Sequence, residues 1–277
     1  MKKIFVKKSI KFLTVCAGIM AMLMGTAPAY AYTRLNEDQM IHQELIADME
    51  NAPKISAGAA IVIDGDSSDV LYEKNADSKM YPASMTKIMT CIIAIEKCDP
   101  TSIVTISDYA ADVECTRVYA GNKIRVHDLI RQMMLISDNG AATAIGEYIA
   151  GSEEAFVQRM NAKAKELGMN DTCFKNCHGI DEDGHVTSAY DIALMSRELL
   201  QNHPSITNYT TIWMDSIRDG KSELVNTNKL IRNYKGATGL KTGSTSLALY
   251  NLSASATRDD LSLIAVIMKA PSTKVRF

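Results

Sequence analysis

Proline is scarce in this chain, tryptophan occurs once, and aromatic residues make up only 6% of its 277 positions. Six prolines, no internal repeat and no low-complexity linker exclude a fibrous or disordered chain. With 47% hydrophobic and 22% charged residues, a chain of this length can bury the core of one large domain, or of one domain with a lobe. No run of like charge and no interleaving of basic with aromatic residues is present, which excludes nucleic acid as a partner. Cysteine is also sparse. Beyond residue 31 only Cys91, Cys98, Cys115, Cys173 and Cys177 occur. An odd number at unequal spacings is not a disulfide framework, and at least one thiol stays free.

What is present begins with an N-terminal targeting pattern. "MKKIFVKKSIK" carries five lysines, the apolar run Phe12 to Met24 follows, and "GTAPAYA" places small residues at Ala29 and Ala31. Residues 1–31 therefore read as a secretory signal cleaved before Tyr32, an uncleaved membrane anchor being the alternative. Val15 is too large for a lipidation signal at Cys16. Without that segment 25 basic residues face 32 acidic ones, a balance of −7, which again argues against nucleic acid. The mature chain is expected to be exported and extracytoplasmic.

Residues 32–56 contain "NEDQMIHQELIADME", with Asn36 and Gln39 at capping-box spacing and apolar Ile41, Leu45 and Met49, and read as a peripheral amphipathic helix. Two β-like runs around "GDSS" predict a hairpin, and residues 84 to about 97 a helix. From Ser107 to about Leu200 the chain reads mostly as helices, including one capped by Ser152 and closed by Gly168. Strand patterns return in "ATGLKTGSTS", "LALYNLSASAT" and "LSLIAVIMKAP". Strands at both ends with helices between predict an α/β (α+β) fold: one antiparallel sheet assembled from both chain ends, with a helical lobe inserted, over residues 57–277.

The chemistry is concentrated in three short segments. In "YPASMTKIMT" Ser84 and Lys87 lie three residues apart, so on a helix they share a face one turn apart. Met85, Ile88, Met89, Ile92 and Ile93 make that helix a buried one. Burial disfavours an ammonium, so Lys87 is a candidate general base and Ser84 the nucleophile it activates. A lysine that packs its stem and snorkels its head to water is the competing reading. "ISDNGAA" supplies Ser137 and Asn139 at a break between helices. "GLKTGSTS" supplies Lys241, Thr242 and Gly243 on a strand, where glycine would let a ligand backbone approach closely. "CFKNCHG" with His185 raises a zinc reading through Cys173, Cys177, His178 and His185, a spacing that is permissible but not distinctive, so no metal is expected.

S-x-x-K, S-D-N and K-T-G in this order are shared by penicillin-binding proteins and class A β-lactamases. Beyond these motifs, "LISDNGAATAIGEYIAGS", "FVQRMNAKAKELGM", "HGIDEDGHVTSAYDIALMSREL" and "SATRDDLSLIAVIM" make the chain resemble the low-molecular-weight penicillin-binding proteins of the D-alanyl-D-alanine carboxypeptidase family, from about Ala57 to Phe277. The resemblance implies a β-lactamase/transpeptidase-like fold and a serine carboxypeptidase, without cofactor, that removes the terminal D-alanine from peptidoglycan stem pentapeptides. It implies Ser84 as acylated nucleophile, Lys87 as base and Ser137 as proton relay. Asn139 would hold the substrate backbone, and Lys241 would keep Lys87 neutral by like-charge repulsion. Thr242 and Gly243 would pair with the peptide, the amides of Ser84 and Ser244 would form the oxyanion hole, and Arg276 would take the terminal carboxylate. β-Lactams would acylate the same serine. Peripheral association with the membrane or wall is a further implication.

Three departures from the family pattern stand out. Leu249 occupies a usual glycine, where its side chain is expected to crowd a neighbour. Cys177 replaces a usual proline. The chain also stops at Phe277, ahead of the closing helix, the second domain and the C-terminal membrane helix that the resemblance leads one to expect. Two alternatives follow: a class A β-lactamase with Glu166 and Asn170 as its deacylating pair, and a truncated, inactive relative that binds wall peptide or penicillin without turnover.

Overall fold

The computed structural model describes residues 52–217, 220 and 222–277. The signal segment and the amphipathic helix read in 36–50 lie outside the described residues. Residues from Ser56 to Phe277 constitute one folding unit.

The chain opens with β1 (Ala59–Asp64) and β2 (Val70–Lys74), enters a 3-10 turn at Ala83–Met85 and continues into α1 (Thr86–Lys97). The inserted lobe follows: β3 (Ile103–Thr105), α2 (Asp108–Asp112), β4 (Lys123–Arg125), α3 (Val126–Leu135), α4 (Asn139–Ala150), α5 (Glu153–Glu166) and α6 (Ala189–Asn202). Next come the one-turn α7 (Thr207–Thr210), a hairpin of β5 (Met214–Ile217) and β6 (Ser222–Val225), and α8 (Leu230–Asn233). The chain closes with β7 (Ala237–Thr245), β8 (Leu249–Arg258), β9 (Leu261–Ala270) and α9 (Thr273–Arg276).

The main sheet runs β2-β1-β9-β8-β7, antiparallel throughout. Its N-terminal hairpin pairs through β1 with β9, from Ala59 opposite Met268 to Asp64 opposite Leu263, so both chain ends build one sheet as expected. β1 is buried almost along its length because α6 packs on it. β7 and β2 are the edge strands, and the free edge of β7 borders the cleft described below.

Helix α1 forms the centre of the unit. Thr86 through Ala94 are all buried, because α3, α4, α5, α6 and β7 pack around it. A helix that is apolar on every side is a core helix, and each fully buried Ile or Met contributes about 1.5–3 kcal/mol. Helix starts follow the sequence signals: Ser107, Asp138, Ser152 and Ser188 each accept a hydrogen bond from the amide three residues on. Gly168 follows α5 at φ +75°, as its sequence position predicts.

Two departures from the sequence reading concern short strands. β3–β4 and β5–β6 form separate two-stranded sheets of three and four residues per strand. These runs are too short for a clear period-2 pattern. The crowding expected at Leu249 does not occur. The residue sits at φ +56° with its side chain partly in solvent, so the cost of the missing glycine falls on the backbone, at about 1–2 kcal/mol. Among the described residues no helix is long and apolar enough to cross a membrane.

Candidate active site

The turn that carries Ser84, the candidate nucleophile, is held by three elements. Asn251 on β8, fully buried, donates from Nδ2 to the carbonyls of Tyr81 (2.9 Å) and Pro82 (3.1 Å) and accepts from Lys269 N (2.8 Å), tying the turn to the sheet. From one side Gly179, at φ +97°, presses so close that a Cβ there would lie 1.9 Å from Ala83 O. From the other, a Cβ on Gly243 would come within 3.0 Å of Ala83 Cβ and Ser84 N. The close approach that Gly243 permits is therefore to the chain's own turn as well as to the cleft. Ala83 itself takes φ +49°, a conformation that these contacts impose.

Lys87 lies one turn beyond Ser84 and has no exposed surface. Its Nζ is 2.9 Å from Ser84 Oγ, 2.7 Å from Asn139 Oδ1 and 2.6 Å from the carbonyl of His178. Snorkelling is ruled out by this burial. Burial lowers its pKa from 10.5 to about 7, against upward pulls from Cys177, Asp138 and Cys115. The neutral amine has two hydrogens and one lone pair. Asn139 Oδ1 and the His178 carbonyl only accept, so they take the two hydrogens, and the lone pair is left for the hydroxyl of Ser84. The three contacts thus leave the amine able to accept a proton from Ser84 Oγ.

Asn139 opens α4, and its Nδ2 donates to the carbonyl of Glu114 (2.7 Å), which fixes the amide orientation. Ser137 precedes it at φ +66° and faces the cleft. The intervening Asp138 holds this junction: its carboxylate accepts from Ala141 N, Thr116 Oγ1, Arg117 N and Gln132 Nε2 at 2.6–3.0 Å.

Lys241, on β7, is also fully buried and donates to the carbonyl of Thr242 at 2.9 Å. Its pKa falls well below the usual lysine value, through burial first and then through the charges of Lys87 and Arg276. The repulsion expected between the two lysines thus bears on Lys241, whereas burial depresses Lys87. Thr242 Oγ1 meets Thr227 Oγ1 at 2.7 Å. Arg276, from α9, reaches the carbonyl of Gly243 through Nη1 at 3.4 Å and lies against Tyr250. Its Nε is buried with no hydrogen-bond partner among the described residues. Ser84, Ser137, Asn139, Gly243, Ser244 and Arg276 all line one cleft of about 640 Å³.

Several residues here escaped the sequence reading. Asp181 accepts from Thr245 Oγ1 (2.6 Å) and Leu247 N (3.1 Å), fixing the end of β7. Glu153 accepts from the Cys177 amide (2.9 Å), a bond that proline at 177 would remove, and lies 3.4 Å from His178 Nε2, steadying the loop whose carbonyl meets Lys87. A carboxylate in a helical run carries no sequence sign of such a partner 24 residues away.

The zinc set does not assemble. His185 bonds Thr86 Oγ1 (2.9 Å) and Lys175 N (3.1 Å), His178 faces Glu153, Cys177 meets Thr143 at 3.7 Å, and Cys173 points at the Phe174 carbonyl. Glu166 ends α5 exposed, paired with Lys163 at 3.1 Å, and neither it nor Asn170 lines the cleft. The β-lactamase arrangement is therefore absent from this cleft.

Comparison with known proteins identifies the family. The family model described as D-alanyl-D-alanine carboxypeptidase matches residues 46–272. The chain belongs to that family. It is 43% identical over 230 residues to the D-alanyl-D-alanine carboxypeptidase DacF of Bacillus subtilis, covering 79% of this chain and 59% of that protein. To DacC of Escherichia coli it is 35% identical, covering 82% and 60%. The chain thus spans about three-fifths of the length of these curated relatives. Among solved structures, penicillin binding protein 5 from Haemophilus influenzae superposes with a TM-score of 0.77 at 32% identity, over 82% of this chain and 69% of that one. Penicillin-Binding Protein D2 from Listeria monocytogenes in its ampicillin-bound form gives 0.74 at 30%, over 81% and 94%. The fold is that of the penicillin-binding proteins.

Proposed function

We propose that this chain is the catalytic unit of a serine-type D-Ala-D-Ala carboxypeptidase acting outside the cytoplasm on peptidoglycan stem peptides. The observation that carries the reading is the fully buried Lys87 amine 2.9 Å from Ser84 Oγ, with its two other neighbours able only to accept. The substrate lies along the free edge of β7, adding a strand, with its terminal carboxylate on Arg276. Ser84 Oγ attacks the carbonyl of the penultimate D-alanine and passes its proton to Lys87. The amides of Ser84 and Ser244 receive the oxyanion. Collapse expels the terminal D-alanine, whose amine takes a proton by way of Ser137, and water then releases the acyl group from Ser84. A β-lactam carbonyl enters the same sequence and leaves a longer-lived ester.

Residues 1–31 support export, and wall or membrane association is part of the same reading. The experiment is release of D-alanine from a peptide ending in D-Ala-D-Ala by the protein beginning at Tyr32. Release that is lost in Ser84→Ala supports the proposal. Equal release by Ser84→Ala, or formation of a long-lived penicillin ester without any peptide turnover, overturns it.

A further inference from the structure

The two acceptors of Lys87 are held in different ways. Asn139 Oδ1 belongs to the first residue of a helix. The His178 carbonyl, 2.6 Å from Lys87 Nζ, belongs to a loop, 174–185, that contains no helix or strand. That loop meets the nucleophile segment at consecutive points: Thr90 Oγ1 donates to the Cys177 carbonyl at 2.6 Å, Lys87 reaches His178, and Gly179 presses on Ala83. A loop placed so closely needs a grip from elsewhere in the fold. Glu153, the first residue of α5, supplies one, and its side chain is only 10% exposed. Oε1 accepts from the Cys177 amide at 2.9 Å and lies 3.4 Å from His178 Nε2, while Oε2 accepts from Tyr109 Oη at 2.8 Å. His178 Nδ1 accepts from Ile180 N at 3.2 Å, so the neutral ring carries its hydrogen on Nε2, towards Glu153. Burial alone would raise the pKa of Glu153, but the Cys177 amide and His178 outweigh it and hold the carboxyl below its ordinary value.

An acid in the first turn of a helix ordinarily serves the helix dipole. Glu153 does more, because it grips the residue that carries the lysine's acceptor and the residue before it. We propose that Glu153 is a positioning residue for acylation: by holding the Cys177 amide and the His178 ring it keeps the His178 carbonyl on Lys87, so that the lone pair of the amine stays on Ser84. The inference rests on the reading of Lys87 as the base for Ser84. When that carbonyl withdraws, one amine hydrogen loses its acceptor and competes for the serine oxygen where the lone pair is needed. The amide half of the grip exists because Cys177 stands at a usual proline of the family, and proline has no N–H to donate.

The test is stopped-flow acylation by a chromogenic cephalosporin over a range of concentrations, which separates the acylation rate constant from the noncovalent binding before it. Glu153→Ala is expected to lower the rate constant by about tenfold to a hundredfold while the noncovalent dissociation constant stays within about threefold, since Arg276 and the edge of β7 are untouched. Glu153→Gln recovers most of the rate, because its oxygen still accepts from Cys177 and His178 while its NH2 faces the Tyr109 oxygen. Cys177→Pro added to Glu153→Ala raises the rate above that of Glu153→Ala alone, because the ring fixes the backbone that the carboxylate no longer holds. Glu153→Asp keeps the charge in the first turn of α5 but ends one methylene short of the loop. It is slowed in the same way, and carries the test if Glu153→Ala does not fold. Wild-type rate constants in Glu153→Asp and Glu153→Ala, a loss that falls on binding instead, no recovery in Glu153→Gln, or no gain from Cys177→Pro overturns the assignment while leaving Lys87 as the base. Acylation at the wild-type rate in Lys87→Ala overturns the reading of Lys87 itself, and the role of Glu153 with it.

Discussion

On the proposed mechanism, lowering the pH from 8 to 5 protonates Lys87 and removes the base that Ser84 needs. A lysine with its ordinary pKa of 10.5 would be neutral in only about one molecule in 3,000 at pH 7, whereas at about 7 half the molecules hold a free amine. That difference corresponds to about 5 kcal/mol of penalty against the buried ammonium, enough to outweigh the two acceptors that remain beside it. On that mechanism the active form is the deprotonated one, so the second-order rate of Ser84 acylation rises with pH and levels off above about 8. At pH 6 it falls to about one-tenth of the plateau and at pH 5 to about one-hundredth. The nearby buried histidines do not mimic this, because burial holds His178 and His185 at about 4, below the window. The assay is stopped-flow acylation by a chromogenic cephalosporin at constant ionic strength. Lys87→Arg, which keeps its charge at every pH used, is predicted to lose acylation throughout. A flat profile between pH 5 and 8, or a midpoint near 4–5 typical of a carboxylate, would refute the argument that Lys87 is the base.

Arg276→Ala is predicted to lower kcat/KM for a D-Ala-D-Ala peptide by tenfold to a hundredfold, as loss of a charge-assisted pair of about 1.5–3 kcal/mol requires, while reducing penicillin acylation less; unchanged peptide hydrolysis would show that the guanidinium does not touch substrate. Gly179→Ala places a methyl within 1.9 Å of the Ala83 carbonyl at φ +97°, and is expected to destabilise the protein by about 2 kcal/mol or more in urea unfolding and to abolish acylation. Leu249→Gly relieves the φ of +56° and is expected to raise stability by about 1 kcal/mol, a rise of some 2–4 °C in Tm, with acylation retained; a lower Tm would mean that the leucine contributes packing that outweighs the strain.

Much of this arrangement is legible in the residues themselves. Alternating and continuous apolar runs at both ends specify a sheet built from the two termini, and the all-round apolar character of 85–95 specifies a buried helix, which is why Lys87 stands out in the sequence itself. Ser152 and Gly168 mark α5 because capping is local chemistry. What is not legible depends on distance along the chain. The Asn251 clamp on Tyr81 and Pro82 spans about 170 residues, and the His178 carbonyl that completes the lysine's acceptor set lies 91 residues from it. Gly243 reads as space for a ligand, yet the nearest atoms belong to the chain's own nucleophile turn. The charge balance between Lys87 and Lys241 also depends on which is repelled more, a question of three-dimensional surroundings that the two motifs alone do not answer.

The claim that Ser84 is the nucleophile and Lys87 its base is tested most directly by intact mass spectrometry of the protein beginning at Tyr32 after incubation with benzylpenicillin, followed by peptide mapping. A single adduct of one penicillin per chain is predicted, located on the peptide that contains Ser84, absent from Ser84→Ala and formed at a small fraction of the wild-type rate in Lys87→Ala. An adduct that persists in Ser84→Ala, or that forms at the wild-type rate in Lys87→Ala, would contradict it.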